Sequence, residues 1–279
     1  MKEKPDSWPH KAYKNLDFLN SAEARKIRVL AEMTEPEHRF RQHNIEDTLV
    51  IFGSARTIHI DEAKQRLSAV EKRIQQKPGD ERSDAAELRL ARSRVKLAPY
   101  YQATVDLARE LTEWSLSLKG EHQRFVVCSG GGPGIMEAAN RGATEAGGSS
   151  IGLGISLPFE QHVNPYIPRD LQFEFHYFFV RKYWFMLMAR CLVAMPGGFG
   201  TMDELFEVLT LIQTHKVEKK VPIVLFGSEF WDDIINFNAF VEWGVISPED
   251  VNLYRKIDTV AEAKKYIIDY LTQAYLETK

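Results

Sequence analysis

Cysteine is scarce: Cys128 and Cys191 are the only two in 279 residues. Two thiols cannot build a disulfide framework. Both lie in apolar runs expected to be buried strands, so they read as inert core thiols of a protein from a reducing cytoplasm. No apolar run approaches the ~18–20 residues that a bilayer span needs, and the opening MKEKPDSWPHKAYKN lacks the apolar centre of a signal peptide. No charge of one sign dominates. Lys and Arg number 36 against 39 Asp and Glu, a net charge of −3 that gives no global pull towards nucleic acid or an anionic membrane. The eight histidines are scattered and no His/Cys/Asp cluster has metal-ligand spacing, so no metal and no other cofactor is expected. The P-loop pattern Gly-x-x-x-x-Gly-Lys-Ser/Thr and the nucleophile elbow Gly-x-Ser-x-Gly are both absent. So are internal repeats and low-complexity tracts.

What is present is alternation. Apolar runs at 48–52, 125–128, 150–156, 173–177, 191–195 and 221–226 are separated by helical patterns at 100–118, 134–147, 179–189, 201–214, 229–241 and 259–276. This order signals βαβ units, hence an α/β fold with a mostly parallel, doubly wound sheet and helices on both faces. The whole chain is expected to form one such domain, with residues 1–20 a loosely docked arm and 21–33 a helix. The strongly charged segment 61–98 stands apart. Ala63, Leu67, Val70 and Ile74 are at helical spacing, KPGD at 77–80 makes a turn, and Leu88, Ala91 and Val95 repeat the spacing. It predicts an inserted helical hairpin between the first strand and the helix that should follow it. A solvated excursion and a part in pairing subunits are both open readings.

The most informative stretch is PGGFGTMDE at 196–204, between the apolar run CLVAM and an apolar helix. Gly197, Gly198 and Gly200 leave backbone N–H groups accessible to a phosphate, and a helix starting at Thr201 adds its free N–H groups and positive dipole end. Thr201-x-x-Glu204 also has the form of a capping box, in which the two side chains satisfy orphan N–H groups; three preceding glycines are more than a cap requires. A second turn, SGGGPGIME at 129–137, follows the strand at 125–128, and the first strand ends in GSAR at 53–56. Ser129, Gly130, Gly131 and Gly132 leave room for a ligand at a helix N-terminus, and Gly53 and Ser54 end the first strand the same way. Three strand ends thus finish in small residues, where open α/β sheets hold their ligands. A dinucleotide fingerprint beginning at Gly130 would need glycine where Ile135 stands, and the next strand ends GISL at 154–157 without the acid that grips a ribose. Finally, FFVRK at 178–182 sets Arg181 and Lys182 among aromatics, where charges need a reason. Arg181 precedes Glu204 by 23 residues. A helix and strand between them return the chain towards the glycine turn, so that Arg181 and Lys182 can neutralise a phosphate or developing negative charge.

Taken together, GSAR, SGGGPGIMEAANRGA at 129–143, FFVRK and PGGFGTMDE resemble the LOG family, cytokinin riboside 5′-monophosphate phosphoribohydrolases and related nucleoside 5′-monophosphate nucleosidases long labelled lysine decarboxylases. The similarity runs from about residue 21 to about 240. It implies a Rossmann-like fold, a homodimer or higher homo-oligomer, and hydrolysis of a nucleoside monophosphate such as AMP to free base and ribose 5-phosphate. It also implies Arg181 and Glu204 as catalytic, with Lys182 and both glycine turns lining the nucleotide site. Asp203-Glu204 stands where plant enzymes have Glu-Glu, and Phe179-Val180 where they have Met-His, which bears on the cytokinin preference.

The chemistry fits the residue types. Cleaving an N-glycosidic bond passes through an oxocarbenium-like state, which a carboxylate stabilises, or serves by activating water. Glu204 is the candidate. Asp203, about 100° around the helix, is assigned substrate contact, and Glu207, on the face of Glu204, is expected to raise its pKa by like-charge repulsion. The competing reading is a nucleotide-binding or sensing protein without catalysis. Pyridoxal-phosphate decarboxylation has no pattern supplying its Schiff-base lysine and pyridinium partner.

Overall fold

The computed structural model of the chain describes residues 11–158 and 163–277. Its strands are β1 (Thr48–Phe52), β2 (Val126–Ser129), β3 (Ser150–Ile155), β4 (Gln172–Phe175), β5 (Ala189–Ala194), β6 (Ile223–Phe226) and β7 (Arg255–Ile257). They form one sheet in the order β4-β3-β2-β1-β5-β6-β7, with every neighbour parallel. Alternation within β1 explains the layering. Leu49 and Ile51 enter one apolar core, and Val50 and Phe52 enter the other, because successive side chains of a strand leave opposite faces. A central strand therefore reads as an unbroken apolar run.

One face carries α2 (Arg25–Gln42), α6 (Phe178–Met188), α7 (Phe199–Gln213), α8 (Ser228–Ile234) and α9 (Phe237–Glu242), through Phe40, Trp184, Leu205, Trp231 and Phe237. The other carries α4 (Glu81–Ser117), α5 (Ile135–Glu145) and α10 (Val260–Leu271), through Leu107, Leu111, Ile135, Ala139 and Ile267. The doubly wound architecture expected from the alternation, Rossmann-like as the resemblance implies, is the one observed. The chain leaves β1 in one direction to build β2, β3 and β4, then crosses to the other side of β1 for β5. Ligand crevices form where the winding reverses, outside the carboxyl ends of the strands; here that is the β1/β5 boundary.

Several boundaries differ from the sequence reading. The hairpin is present as α3 (Ile60–Gln76) and α4, clasped near its tip by Arg73 with Asp84 and Glu87, each at 2.6 Å. Its second arm is not separate from the helix at 100–118, however. The two are one 37-residue helix with Pro99 inside. A proline there forfeits a backbone hydrogen bond, at about 3 kcal/mol, but Ala98, Tyr101, Val105, Leu107 and Leu111 are all buried, and the helix continues across it. The helix from residue 21 starts at Arg25 and runs on to Gln42, since Phe40 packs on Phe173 and Trp184 at ring-centroid distances of 5.0 and 5.6 Å. The span 229–241 is two helices, with Asn236 capping the second through the Ala239 N–H. The arm at 1–20 lies partly outside the described residues. Its described part holds α1 (Leu16–Asn20), and Arg28 fastens the end of that helix by donating to the carbonyls of Leu19 and Ser21.

Candidate active site

The three small-residue turns meet. The Ser54 N–H donates to the Pro196 carbonyl at 3.0 Å, and the Ser54 carbonyl accepts from the Ile135 N–H at 3.1 Å. The GSAR turn thus lies between the two glycine turns, as β1 lies between β2 and β5. Close approach explains two glycines. A Cβ on Gly53 would come within 2.5 Å of the Ile135 side chain, and one on Gly134 (φ +72) within 2.4 Å of the Ser54 carbonyl. Gly198 and Gly200 differ from these, with open space where a side chain would stand.

The helix after PGG begins at Phe199, with Gly198 as N-cap and no side-chain cap. The capping-box reading of Thr201 and Glu204 therefore fails. Thr201 lies inside the first turn, folded over Gly197, whose added Cβ would meet the Thr201 hydroxyl at 2.2 Å. The first-turn N–H groups of α7 are left for solvent or an anion, in the positive field of the helix end. No side chain caps α5 either. By contrast, Asp80 and Thr259 cap α4 and α10.

Glu204 is released from capping because Arg181 holds it. The Arg181 guanidinium donates to the Glu204 carboxylate, which brings together the two residues 23 apart in sequence. Both are nearly enclosed, with side chains 12% and 8% exposed. The rings of Phe178 and Phe185 lie 5.8 and 5.3 Å from the guanidinium carbon. The Arg181 Nε–H is buried without an acceptor among the described residues. Burial raises the Glu204 carboxyl from its ordinary value, Arg181 opposes that shift, and the neighbouring charge of Asp203 adds to it. The like charge acting on Glu204 is thus Asp203 and not Glu207.

Lys182 engages both of these carboxylates. Its ammonium donates to Asp203 at 2.7 Å and lies 3.1 Å from Glu207. Burial works against the charged amine, but these two carboxylates outweigh it and raise the pKa. Asp203, expected at the substrate, is engaged with Lys182. Phe52, Lys182, Phe185, Glu204 and Glu207 surround a cavity of about 10 Å³, room for one water at most, so a substrate must approach Glu204 from the open crevice. Behind Arg181 lies Cys128, whose thiol burial pushes well up against the pull of that guanidinium; it is no nucleophile. Among the described residues no three His, Cys, Asp or Glu side chains converge as metal ligands, and no helix is long and apolar enough to cross a membrane.

The second glycine turn faces inward more than the sequence implies. The Ser129 hydroxyl is fully buried and donates to Asn140 Oδ1 at 2.7 Å. It shapes the turn and cannot meet a ligand. An added Cβ on Gly130 would meet Met136, and one on Gly131 would meet Gly152. Asn140, which lies within the 129–143 motif but is assigned no role there, and Asn164, which no motif announces, complete this interior.

A protein-family model described as possible lysine decarboxylase matches residues 136–267, a span that contains Arg181, Lys182 and the PGGFGTMDE turn. A cytokinin riboside 5′-monophosphate phosphoribohydrolase of Arabidopsis thaliana is 27% identical over 189 residues, spanning 64% of this chain and 79% of the relative. One from Oryza sativa subsp. japonica is 26% identical over 187 residues, 63% of this chain and 69% of the relative. Across such relatives the match spans 58% to 83% of their length. Among solved structures, the molybdenum cofactor carrier protein of Chlamydomonas reinhardtii aligns with a TM-score of 0.45 and 18% identity, over 81% of this chain and 99% of that one.

Proposed function

With the LOG-family resemblance borne out by the family model and the curated relatives, we propose that this chain is a phosphoribohydrolase that cleaves nucleoside 5′-monophosphates to free base and ribose 5-phosphate. The observation that carries the reading is the buried Arg181–Glu204 pair at the winding reversal of the sheet, beside an uncapped helix N-terminus. A binding protein gains nothing from a carboxylate enclosed next to a polyanion's site, whereas glycoside chemistry requires one.

In this reading the phosphate is held by the first-turn N–H groups of α7 and by the glycine turns, with Lys182 as nearby positive charge. The sugar is thereby fixed with C1′ towards Glu204. The C1′–N bond breaks with its electron pair leaving on the base. Glu204 as carboxylate stabilises the oxocarbenium-like carbon and accepts a proton from the attacking water, whose oxygen forms the new bond to C1′. The base takes a proton from solvent as it departs, Glu204 then gives up to solvent the one it took from water, and Arg181, freed in part from Glu204, offsets the negative charge that develops on the base before it is protonated. Catalysis is assigned to Arg181 and Glu204; substrate contact to Gly53, Ser54, Gly132, Gly197, Gly198, Gly200, Thr201 and Lys182.

Decarboxylation through a Schiff-base lysine does not fit Lys182. A Schiff-base lysine must lose its proton to react, and Lys182 is held charged by two carboxylates. The reading includes a homodimer in a reducing cytoplasm. Phe178, Phe179, Tyr183, Leu187 and Phe199 are exposed on α6 and α7, an apolar surface of the kind a second copy covers. Incubation with the purine and pyrimidine monophosphates, followed by chromatography for released base, tests the activity. Light scattering tests the dimer. Nucleotide binding without any base release would favour the sensing alternative.

A further inference from the structure

The second glycine turn is held from behind by three buried side chains, Ser129, Asn140 and Asn164, the last 4% exposed. The Asn164 amide group donates to the carbonyls of Gly131 and Gly132, each at 3.1 Å, and to Asn140 Oδ1 at 2.9 Å. Its backbone N–H also donates to the Gly131 carbonyl, at 2.9 Å. The Asn140 oxygen accepts from the Ser129 hydroxyl, which in turn accepts from the Gly131 N–H at 3.0 Å. Asn140 Nδ2 reaches the Ile151 carbonyl of β3 at 3.3 Å, and Asn164 Oδ1 accepts from the Tyr166 N–H at 3.2 Å.

This network has a direction. The described peptide bonds are all trans, so the C=O and N–H of one peptide unit point opposite ways. With the Gly131 carbonyl drawn inward to Asn164, the N–H of Gly132 is turned outward. Among the described residues that N–H has no acceptor, although Gly132 is buried. Gly131 at φ +74 supplies the backbone turn that makes this arrangement possible. An N–H turned outward from a buried residue, with no acceptor in the protein, is left to an acceptor from outside it.

We propose that Asn164 is a positioning residue of the nucleotide site: by holding the Gly131 and Gly132 carbonyls inward, it aims the Gly132 N–H at the phosphate. The proposal rests on the nucleotide reading above and deepens it. Asn164 touches no substrate. It acts through the turn, and it sits on the β3–β4 connection, so it also ties that connection to the phosphate site. Filling the core would not by itself require an amide whose donors all go to two carbonyls and one side chain of the same turn.

Two measurements test this. In the wild-type chain with glycine-selective ¹⁵N labelling, the Gly132 amide resonance should move on adding ribose 5-phosphate and stay in place on adding ribose. A Gly132 amide unmoved by saturating ribose 5-phosphate overturns the proposal, whatever the variants do. The variants are Asn164→Ala and Asn164→Asp; the second keeps the shape and the acceptor for Tyr166 but presents oxygen to the two carbonyls. Each should raise KM for AMP at least tenfold, leave kcat within about threefold, and leave the weaker adenosine reaction unchanged, because only the phosphate contact is lost. Equal losses for AMP and adenosine, or a fall confined to kcat, contradict it. If the wild type releases no base yet the Gly132 amide responds to ribose 5-phosphate, the hydrolase reading fails and the positioning role stands. Base release from AMP with a silent Gly132 overturns the positioning role and leaves the hydrolase reading standing.

Discussion

The Arg181–Glu204 pair can be cut on one side without changing its shape. Glu204→Gln keeps the length of the side chain and one acceptor oxygen but removes the charge. Arg181 is then left with its guanidinium in a pocket where its side chain is 12% exposed. Removing one partner of a buried pair costs about 3–5 kcal/mol in general. The retained oxygen and the adjacent Phe178 and Phe185 rings offset part of that, so a loss of about 2–3 kcal/mol is expected. For a chain of this length that lowers Tm by roughly 4–12 °C. The rate should fall by at least ~10²-fold, within the range that electrostatic and acid–base groups supply. Adding Arg181→Met removes the stranded charge and should recover much of the lost stability while activity stays down. Scanning fluorimetry and chromatographic base release, run on the two single variants and the double variant, read both effects. A Glu204→Gln protein that melts with the wild type and turns over within tenfold of it would refute both the buried-pair and the catalytic argument.

The phosphate should dominate substrate choice: AMP or GMP should be cleaved far faster than adenosine or guanosine, and equal rates would remove the uncapped α7 terminus from the account. The acid limb of kcat should lie above the ordinary glutamate range of about 4.3. Burial raises the Glu204 carboxyl, so at a given acidic pH more of it is protonated and inactive than a free glutamate would be; a pH–rate profile flat down to the ordinary range would contradict this. Replacing residues 62–96 by a short Gly/Ser linker should leave a folded protein that binds AMP, because Pro99 is suited to the first position of a restarted helix and Tyr101 through Leu111 keep their buried face. An insoluble product would show that the hairpin is integral to the core.

How far the sequence alone reaches depends on what kind of interaction shapes each element. β1 is bounded correctly because a strand buried on both faces must be apolar throughout and GSAR stops it. β7 escapes notice: Arg255 and Lys256 are two of its three residues, and it pairs only with β6 at the sheet edge. Pro99 marks a helix boundary on local grounds, and burial of the residues around it overrides that rule. The start of α7 is misjudged for a related reason. Thr201 and Glu204 have the spacing of a capping box, but Arg181, from another element, takes the carboxylate. The pairing of Arg181 with Glu204 is readable from motif and spacing. The engagement of Asp203 and Glu207 with Lys182 is not, since helical phase alone does not say which neighbour a carboxylate meets. Asn164 shows locally only the turn it makes with the Tyr166 N–H; the partners that give it its place, at 131, 132 and 140, lie more than twenty residues away.

On the proposed function, the Arg181–Glu204 site hydrolyses the bond between base and ribose 5-phosphate. The most direct measurement is a single time course of the purified protein with AMP in ¹⁸O-enriched water, following adenine by chromatography and ribose 5-phosphate by mass spectrometry. Adenine and ribose 5-phosphate are expected in equal amounts, with one ¹⁸O in the sugar product when the sample is taken before its anomeric oxygen exchanges with solvent, and both at least ~10²-fold more slowly from the Glu204→Gln variant. Adenosine and inorganic phosphate as the products would contradict it, as would AMP recovered intact from a protein shown to bind it.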